Sequence, residues 1–599
     1  MKAKRACGAA LAVAALALLP SCNGRSVFGK TMKKGESFTG PALVELNLSK
    51  GVSERGASTL FGSIPGTSHA DLVMALRKLD PEETKGVFVR LGLTQMGVAA
   101  ATEIGTLLKG VRDRNIPVYC HADELGNGTM LLTSLGCTEI WISPAGGVDT
   151  VGLGFELIFG NQLLKDLKIG VDFLQVGKYK GAQEPYTRNE PSPEARESIE
   201  FTLKDLRKAW IDGVTTGRGA DVAALVEDGP YGPQAAKDAG LVDGVGYEDD
   251  VRDKARTAVG AERTVVAFGG GANEQGGFSE ILRTLTGAES EGAPHVAVIK
   301  AIGAITMGGG GGLGGAEGIT ETGLGKVLTQ VTEDDNVKAV VLRIDSPGGS
   351  ALASDLLWHK LMKLRAKKPL IVSVGGMAAS GGYYLSSAGT AIFAEPASIV
   401  GSIGVVGGKL ALHDALAKYG INTVPVTAAT DPVKARRATY MSPFQPWDDP
   451  TRAKVLASME AIYGTFLDRI VEGRGLDRDT LHDKAAQGRI FGAASAKDLG
   501  LVDQLGGLDD AIRYAQEKGG LGADGPVLLK AEQGGLLELF GGDADAAAKA
   551  AERAKSELDP IASVIETFPA EVREWLASTA PMAQGEVALT AVPFVIVGR

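Results

Sequence analysis

Two stretches of this chain repeat each other in the same order about 253 positions apart, and no other feature limits the fold as tightly. Pro294-His295-Val296-Ala297-Val298-Ile299 answers Pro41-Ala42-Leu43-Val44-Glu45-Leu46, and Lys338-Ala339-Val340-Val341-Leu342-Arg343 answers Lys85-Gly86-Val87-Phe88-Val89-Arg90, both at an offset of 253. Pro369 answers Pro117 at 252, and Ser495-Ala496-Lys497-Asp498-Leu499-Gly500-Leu501-Val502-Asp503 answers Ala235-Ala236-Lys237-Asp238-Ala239-Gly240-Leu241-Val242-Asp243 at 260. Ordered matches at nearly one offset mean duplication, and two copies, unlike a solenoid, mean two homologous globular domains. Within each copy, short apolar runs such as Gly86 to Leu91 and Pro117 to Cys120 alternate with helix-length segments such as Val98 to Arg114. That alternation predicts parallel βαβ units and an α/β fold. At 599 residues the chain also exceeds what one core organises. The expected layout is 1–22 signal segment, 23–40 tether, 41–267 first domain, 268–293 Gly- and Glu-rich linker, 294–530 second domain and 531–599 extension.

The beginning of the chain is an address rather than fold. Lys2, Lys4 and Arg5 precede an apolar run from Gly8 to Leu19, which is shorter than the roughly 20 residues that span a bilayer. Leu19-Pro20-Ser21-Cys22 resembles a bacterial lipobox, with Cys22 as the lipidated first residue of the mature chain. An ordinary cleaved signal peptide with a stray cysteine is the alternative. Either form places the body outside the cytoplasm, and the lipid form ties it to a membrane. Of the other cysteines in the mature chain, Cys120 sits in a strand-like run and Cys137 after a helix-like run. Two unpaired buried thiols are expected, although the compartment permits a disulfide. No CxxC pair is present, so no cysteine zinc site is expected. A net charge of −10 gives no basic surface for nucleic acid. The tail from Asp543 to Lys555 reads as helical, and Pro569 to Ala577 as a further short helix.

Because the copies can be compared with each other, their differences are informative. In the second, Met377-Ala378-Ala379-Ser380-Gly381-Gly382-Tyr383-Tyr384 lies between an apolar strand-like run and a helix-compatible run. A small polar residue with glycines at a strand-to-helix turn is where a nucleophile is presented. The N–H of Gly381 would then open the helix close to an oxyanion formed at Ser380. A tight turn with an incidental serine is the plain alternative. At an offset of 252 the first copy has Gly128, without a hydroxyl. Asp345-Ser346-Pro347-Gly348-Gly349-Ser350 likewise has no Pro-Gly-Gly counterpart in Gly92 to Gly97, and its glycine pair offers N–H groups that a ligand can approach closely. Conversely, the first copy carries Lys180 within Val176 to Tyr186, and the position maps to Thr430 in the second, with Lys434 four residues away. Alone, Lys180 reads as a solvated loop lysine. Set beside a serine found only in the other copy, it suggests that the copies divided a chemical pair.

A serine nucleophile needs a base. None of the six histidines, His69, His121, His295, His359, His413 and His482, stands in a triad or metal-binding spacing; His121 is the best placed and is more simply a turn residue. Lysine can replace histidine in a Ser-Lys pair. An exposed lysine could not serve, since keeping it neutral at pH 7 against a pKa near 10.4 costs roughly 4.6 kcal/mol. Burial without a counter-charge removes most of that cost. Lys180 is therefore expected to be enclosed, near Ser380 and held by neutral oxygens. Ser402 in Val400-Gly401-Ser402-Ile403-Gly404-Val405 is the candidate to hold it, with a backbone-satisfying turn hydroxyl as the alternative; its first-copy counterpart is Thr150. The glycine tract Gly308 to Gly315 has neither a helix directly after it nor a phosphate-binding lysine, so it reads as a rim loop and no nucleotide or other cofactor is expected.

At Ser346-Pro347-Gly348-Gly349, Met377 to Tyr383, Gly401-Ser402-Ile403-Gly404 and Tyr179-Lys180-Gly181-Ala182-Gln183-Glu184-Pro185, the chain resembles the bacterial signal peptide peptidase A (protease IV) family in its long two-domain form. The likeness covers most of residues 40 to 530. It implies two tandem crotonase-like (Clp-protease-like) ββα domains and an envelope serine endopeptidase acting on signal-peptide remnants. It implies Ser380 as nucleophile, Lys180 as general base, Ser402 orienting the lysine, and Gly348, Gly349 and Gly381 as the oxyanion hole. It further implies a homotetramer, while the lipid anchor and the long extension depart from the pattern. An acyl-CoA enzyme of the same fold and a non-enzymatic envelope scaffold are the rival readings.

Overall fold

A computed structural model describes residues 41–530 other than 57, 60–61, 64–66, 220–223, 226–227, 270–291 and 309–317, together with the strand Leu589–Thr590. Cys22, the signal segment, the tether, most of the linker, most of the glycine tract and the helices read into 543–577 lie outside the described residues.

The first sheet contains β1 (Ala42–Asn47), β2 (Thr84–Gly92), β3 (Val118–Gly126), β4 (Glu139–Asp149), β6 (Gly244–Val245) and β7 (Arg263–Phe268), in the order β6-β4-β3-β2-β1-β7. A further strand, β5 (Gly170–Val176), leaves it. The second sheet contains β8 (His295–Ile302), β9 (Val337–Ser346), β11 (Leu370–Ala379), β13 (Ile399–Gly401), β15 (Ile490–Gly492) and β17 (Val527–Lys530), ordered β15-β13-β11-β9-β8-β17. Beside β11 runs β12 (Ala391–Ala394), which pairs with β16 (Gln504–Leu505). Apart from the first strand of each order, the two sheets are thus built in one order from strands at matching positions; the counterpart of β6 is β16, and that of β15 is the Val148–Tyr231 bridge. The register agrees as well: Val44 faces Val87 as Ala297 faces Val340, and the shift after Ala42 recurs after His295. This is a tandem α/β architecture, with most pairings parallel.

Parallel strands are covered on both faces, which explains their nearly continuous apolar runs. Val296, Ala297, Val298 and Ile299 are all buried, as are Val340, Val341, Leu342, Leu370, Ile371 and Val372. Each such Val, Leu or Ile side chain stabilises by roughly 1.5–3 kcal/mol relative to exposure. Helices cover the faces: Val98–Arg112 in the first copy, Ala351–Arg365 at the same place in the second, and a 26-residue helix in each, Pro193–Arg218 and Asp449–Arg474. The helix Glu321–Glu333 does begin a few residues beyond the glycine tract, but it is capped by the side chain of Thr320, so the tract is not its opening turn.

The described residues from Pro41 onward form a single compact unit. The cause is β5, which pairs over its whole length, antiparallel, with β14 (Val405–Ala411) of the second copy. The third sheet runs from two short strands, Ile319–Thr320 and Ile305–Thr306, through β10 (Gly349–Ser350), β18 (Leu589–Thr590) and β14 to β5.

One expectation is overturned. Cys120 and Cys137 form a disulfide, with Cα atoms 5.9 Å apart. Cys120 lies in β3, and Cys137 caps the helix Asn127–Gly136 that follows β3, so the strand-to-helix reversal brings the helix end back beside the strand. Among the described residues no helix is long and apolar enough to cross a membrane.

Candidate active site

Ser380 stands between β11 and the helix Gly381–Ser386, at φ 58° and ψ −116°. That backbone is rare for an L-residue and stores strain where the turn must aim a side chain. The chain is held there from both sides: Ser380 N–H donates to Gly401 O at 2.8 Å, and Tyr384 N–H donates to Ser380 O at 2.8 Å. Ser402, at φ 54°, occupies the neighbouring turn after β13, with its N–H on Arg489 O at 2.6 Å.

Lys180 reaches this point because β5 delivers the first copy's chain to the second. Directly after β5, Gly177 turns at φ 105°, and Tyr179 N–H donates to Gln487 O at 2.8 Å. A Cβ on Gly488 would stand 2.4 Å from Lys180 N and 2.6 Å from its Cα, so only glycine leaves the lysine backbone its seat. Arg489 stacks on the Tyr179 ring at 4.1 Å and fixes the outer side of the same loop. The Gln487-Gly488-Arg489 seat has no signal in the sequence beyond a single glycine.

The Lys180 Nζ lies 2.7 Å from Ser380 Oγ, 2.8 Å from Ser402 O and 2.9 Å from Ser402 Oγ. All three residues are buried. No carboxylate contributes to the lysine's electrostatics, and burial alone pulls its pKa well below the ordinary lysine value. Partner chemistry agrees with a neutral amine. Such a group donates two hydrogen bonds and accepts one: Ser402 O can only accept, Ser402 Oγ can accept, and the Ser380 hydroxyl is then left to donate to the lone pair. The arrangement can therefore take a proton from Ser380 without first losing one.

The three glycines read as oxyanion donors are not equivalent. Gly381 is the first residue of its helix, so its N–H has no acceptor within the helix. The Gly348 N–H instead faces Ser346 Oγ at 3.2 Å, and that hydroxyl donates to Gly303 O at 2.7 Å. Gly349, at φ 150°, starts β10, and a Cβ there would meet Ile305 O at 2.2 Å. The loop lies against the serine's helix, since a Cβ on Gly382 would be 2.7 Å from Ser346 O. Between β10 and β14 lies β18, antiparallel to both, with Thr590 opposite Gly349 and Leu589 opposite Ser350 and Val406. The groove beside the Gly-Gly loop therefore accepts an extended segment as an added strand.

Beneath β11 lies a charged cluster that sequence reasoning missed. Arg343 on β9, fully buried, places Nε 3.0 Å from Glu54 Oε2 and Nη2 2.7 Å from Glu103 Oε2, and Glu103 is 3.1 Å from His69 Nε2. Burial opposes charge on all four. Attraction outweighs it: Arg343 holds both carboxyls below the usual carboxylate range, and the carboxylates hold the imidazole pKa above its ordinary value. Glu54, His69 and Glu103 are of metal-ligand type and lie close together, but the guanidinium already supplies their positive partner. Arg343 also donates to Ser373 Oγ at 2.9 Å and Val374 O at 3.2 Å, so the cluster ties the first copy to the strand that carries Ser380. These residues are scattered through the sequence and share no spacing. His121, the histidine singled out above, contacts Gly246 O at 3.0 Å and is not part of the site.

Comparison with known proteins gives two matches to one family model, described as peptidase family S49, at residues 111–262 and 362–522. The first match contains Lys180 and the second Ser380 and Ser402. The chain is 31% identical to Protease 4 of Salmonella typhi over 76% of this chain and 74% of that one. It is 29% identical to Protease 4 of Haemophilus influenzae over 82% and 81%. It is 30% identical to the chloroplastic serine protease SPPA of Arabidopsis thaliana over 66% of this chain, which spans 57% of that protein's length.

Proposed function

This chain belongs to peptidase family S49, and from that premise we propose that it is a serine endopeptidase with Ser380 as nucleophile and Lys180 as general base. The observation that carries the reading is the 2.7 Å contact between Lys180 Nζ and Ser380 Oγ in a buried pocket without a carboxylate. In the reaction, neutral Lys180 accepts the hydroxyl proton while Ser380 Oγ attacks a peptide carbonyl carbon. The resulting oxyanion is stabilised by the N–H of Gly381 together with the Gly348-Gly349 loop, worth about 2.7–4 kcal/mol for one such donor. The ammonium of Lys180 then returns its proton to the leaving amine and the C–N bond breaks. Water, deprotonated by the same lysine, attacks the acyl-enzyme and frees Ser380. Ser402 holds the amine so that its lone pair faces Ser380.

Substrates on this reading are apolar, extended peptides of the signal-peptide-remnant type, taken up by strand addition between β10 and β14. The support for that mode is β18, already seated there as an antiparallel strand. The body works in the cell envelope, tethered through lipid on Cys22.

The test is covalent trapping of the full chain with a fluorophosphonate and with a leucine-containing peptide aldehyde. One adduct on the peptide carrying Ser380 is expected, with none in Ser380→Ala and loss of cleavage of leucine- and alanine-rich peptides. A folded protein that neither labels nor cleaves would instead be a scaffold.

A further inference from the structure

Gln487, Gly488 and Arg489 tie the loop of Lys180 to the turn of Ser402. Gln487 O accepts from Tyr179 N–H at 2.8 Å, Gly488 N–H donates to Ile403 O at 2.8 Å, and Arg489 O accepts from Ser402 N–H at 2.6 Å. The three residues follow a single π turn, Leu481–Ala485, a rare element that recurs at functional sites. Gln487 then stands at φ 61°, with its N–H on Tyr463 Oη at 3.2 Å and its Nε2 donating to His482 O at 3.2 Å. The backbone of this loop is thus fixed from within. What it leaves open is the outer side of the lysine's loop, where Tyr179 lies.

Arg489 closes that side with its side chain. The guanidinium lies 4.1 Å from the centre of the Tyr179 ring, with Nη2 3.1 Å from Tyr179 Oη and Nη1 donating to Asp483 O at 2.7 Å. The carboxylate of Asp483 is turned instead to His482 Nδ1 at 3.0 Å, so the guanidinium is committed to a ring and a carbonyl rather than to a charge. The first copy supplies a control. The Val148–Tyr231 bridge answers the Val400–Phe491 pair, so position 489 maps to 229 and position 402 to 150. The residue there is Gly229, and a Cβ on it would stand 2.7 Å from Thr150 O. The copy without the reactive serine therefore has neither the side chain nor the room for one.

We propose that Arg489 is a positioning residue for the Ser380–Lys180 pair, an inference that rests on the reading above: by clamping Tyr179 it holds the lysine's loop on Gly488 and keeps Nζ between Ser380 and Ser402, closed to water. Charge does not account for the contact, since burial alone perturbs Lys180. The other charged groups beside the loop are Lys178, 5.1 Å from the centre of the same ring, and Glu184, whose carboxylate accepts from Ser192 N–H at 2.9 Å. Without the arginine the ring is released, water reaches the amine, and its proton affinity climbs back towards that of an exposed lysine. A general base that keeps its proton at neutral pH is idle there, whereas at high pH it is neutral with or without the clamp. The signature is a loss that depends on pH.

The test measures kcat and KM on a leucine-rich peptide, from neutral pH to beyond the ordinary lysine value near 10.4, for the full chain and for Arg489→Ala, Arg489→Lys, Tyr179→Phe and Lys180→Met. In Arg489→Ala the acid limb of kcat is expected to move up by roughly one unit, so that kcat falls about tenfold at neutral pH and meets the parent's above the limb, with KM unchanged. Arg489→Lys keeps a cation without the flat stack and should fall between the two. Tyr179→Phe keeps the ring and should stay close to the parent. An Arg489→Ala limb at the parent's position, or a loss equal at every pH, overturns the inference and leaves the dyad standing if Lys180→Met is inactive. An active Lys180→Met removes the dyad and this inference with it. If the denaturation midpoint shows that Arg489→Ala does not fold, the limb of Arg489→Lys decides in its place.

Discussion

The turns after β3 and β11 occupy the same place in two copies of one fold, and only one of them presents a side chain. In the first copy the helix starts early, at Asn127, and Gly128 lies inside it. A Cβ there would stand 1.9 Å from Met96 O, so the backbone of the preceding loop fills the space a nucleophile would need. In the second copy the helix starts after Ser380, which is pushed to φ 58° and aimed at Lys180. The difference teaches that the reactive turn is more than a glycine exchanged for a serine. On the proposed mechanism it needs a delayed helix start, a loop that stays clear, and a neighbour that delivers the lysine. The arginines at equivalent positions diverge in the same way: Arg343 is buried between Glu54 and Glu103, while Arg90 makes a partly exposed pair with Glu248 at 2.7 Å.

The largest effect expected from breaking this asymmetry is that of Lys180→Met, which keeps the bulk and removes the proposed base. Peptide cleavage should fall by about 10²–10⁴-fold or more, measured as kcat/KM on a leucine-rich peptide. Because the folded lysine's pKa is depressed by burial, the unfolded chain binds a proton that the native one refuses. Stability of the parent should therefore rise with pH between the folded value and the reference near 10.4, and cleavage should rise as the lysine is deprotonated. Lys180→Met should lose that stability slope in denaturant titrations across pH. An unchanged slope would mean that the lysine is charged in the native protein.

Next in size is Arg343→Met. Removing one partner of a buried ion cluster strands Glu54 and Glu103, at a cost of about 3–5 kcal/mol, read as a lower denaturation midpoint. Ser402→Ala comes third. It removes one of the three polar contacts of Lys180 while leaving the carbonyl contact, and a loss of about tenfold to a hundredfold in kcat is expected, with KM little changed. Arg90→Met, the counterpart of Arg343 in the first copy, should cost only about 0–1 kcal/mol, because an exposed pair gives little. Equal costs for the two arginine variants would erase the distinction between the copies.

Much of this was legible in the sequence because it is local or repeated. The duplicated apolar runs give the parallel sheets, and the small-residue turn at Ser380 and the Pro-Gly-Gly loop can be read without a neighbour. The disulfide was missed because pairing depends on how far the helix Asn127–Gly136 folds back over β3, which no spacing encodes. The contact of the Gly348 N–H with the Ser346 hydroxyl is likewise one that no spacing encodes.

By itself, then, the chain's sequence determined a doubled α/β fold and which residue types each copy alone could offer: a hydroxyl in one, an amine in the other. Only the tertiary structure decided that β5 crosses into the second copy and lowers Lys180 into a pocket of neutral oxygens. The physical reason is that secondary-structure periodicity and turn chemistry follow from near neighbours in the chain. The proton affinity of a lysine instead follows from what surrounds it in space, and here those surroundings come from residues more than 200 positions away.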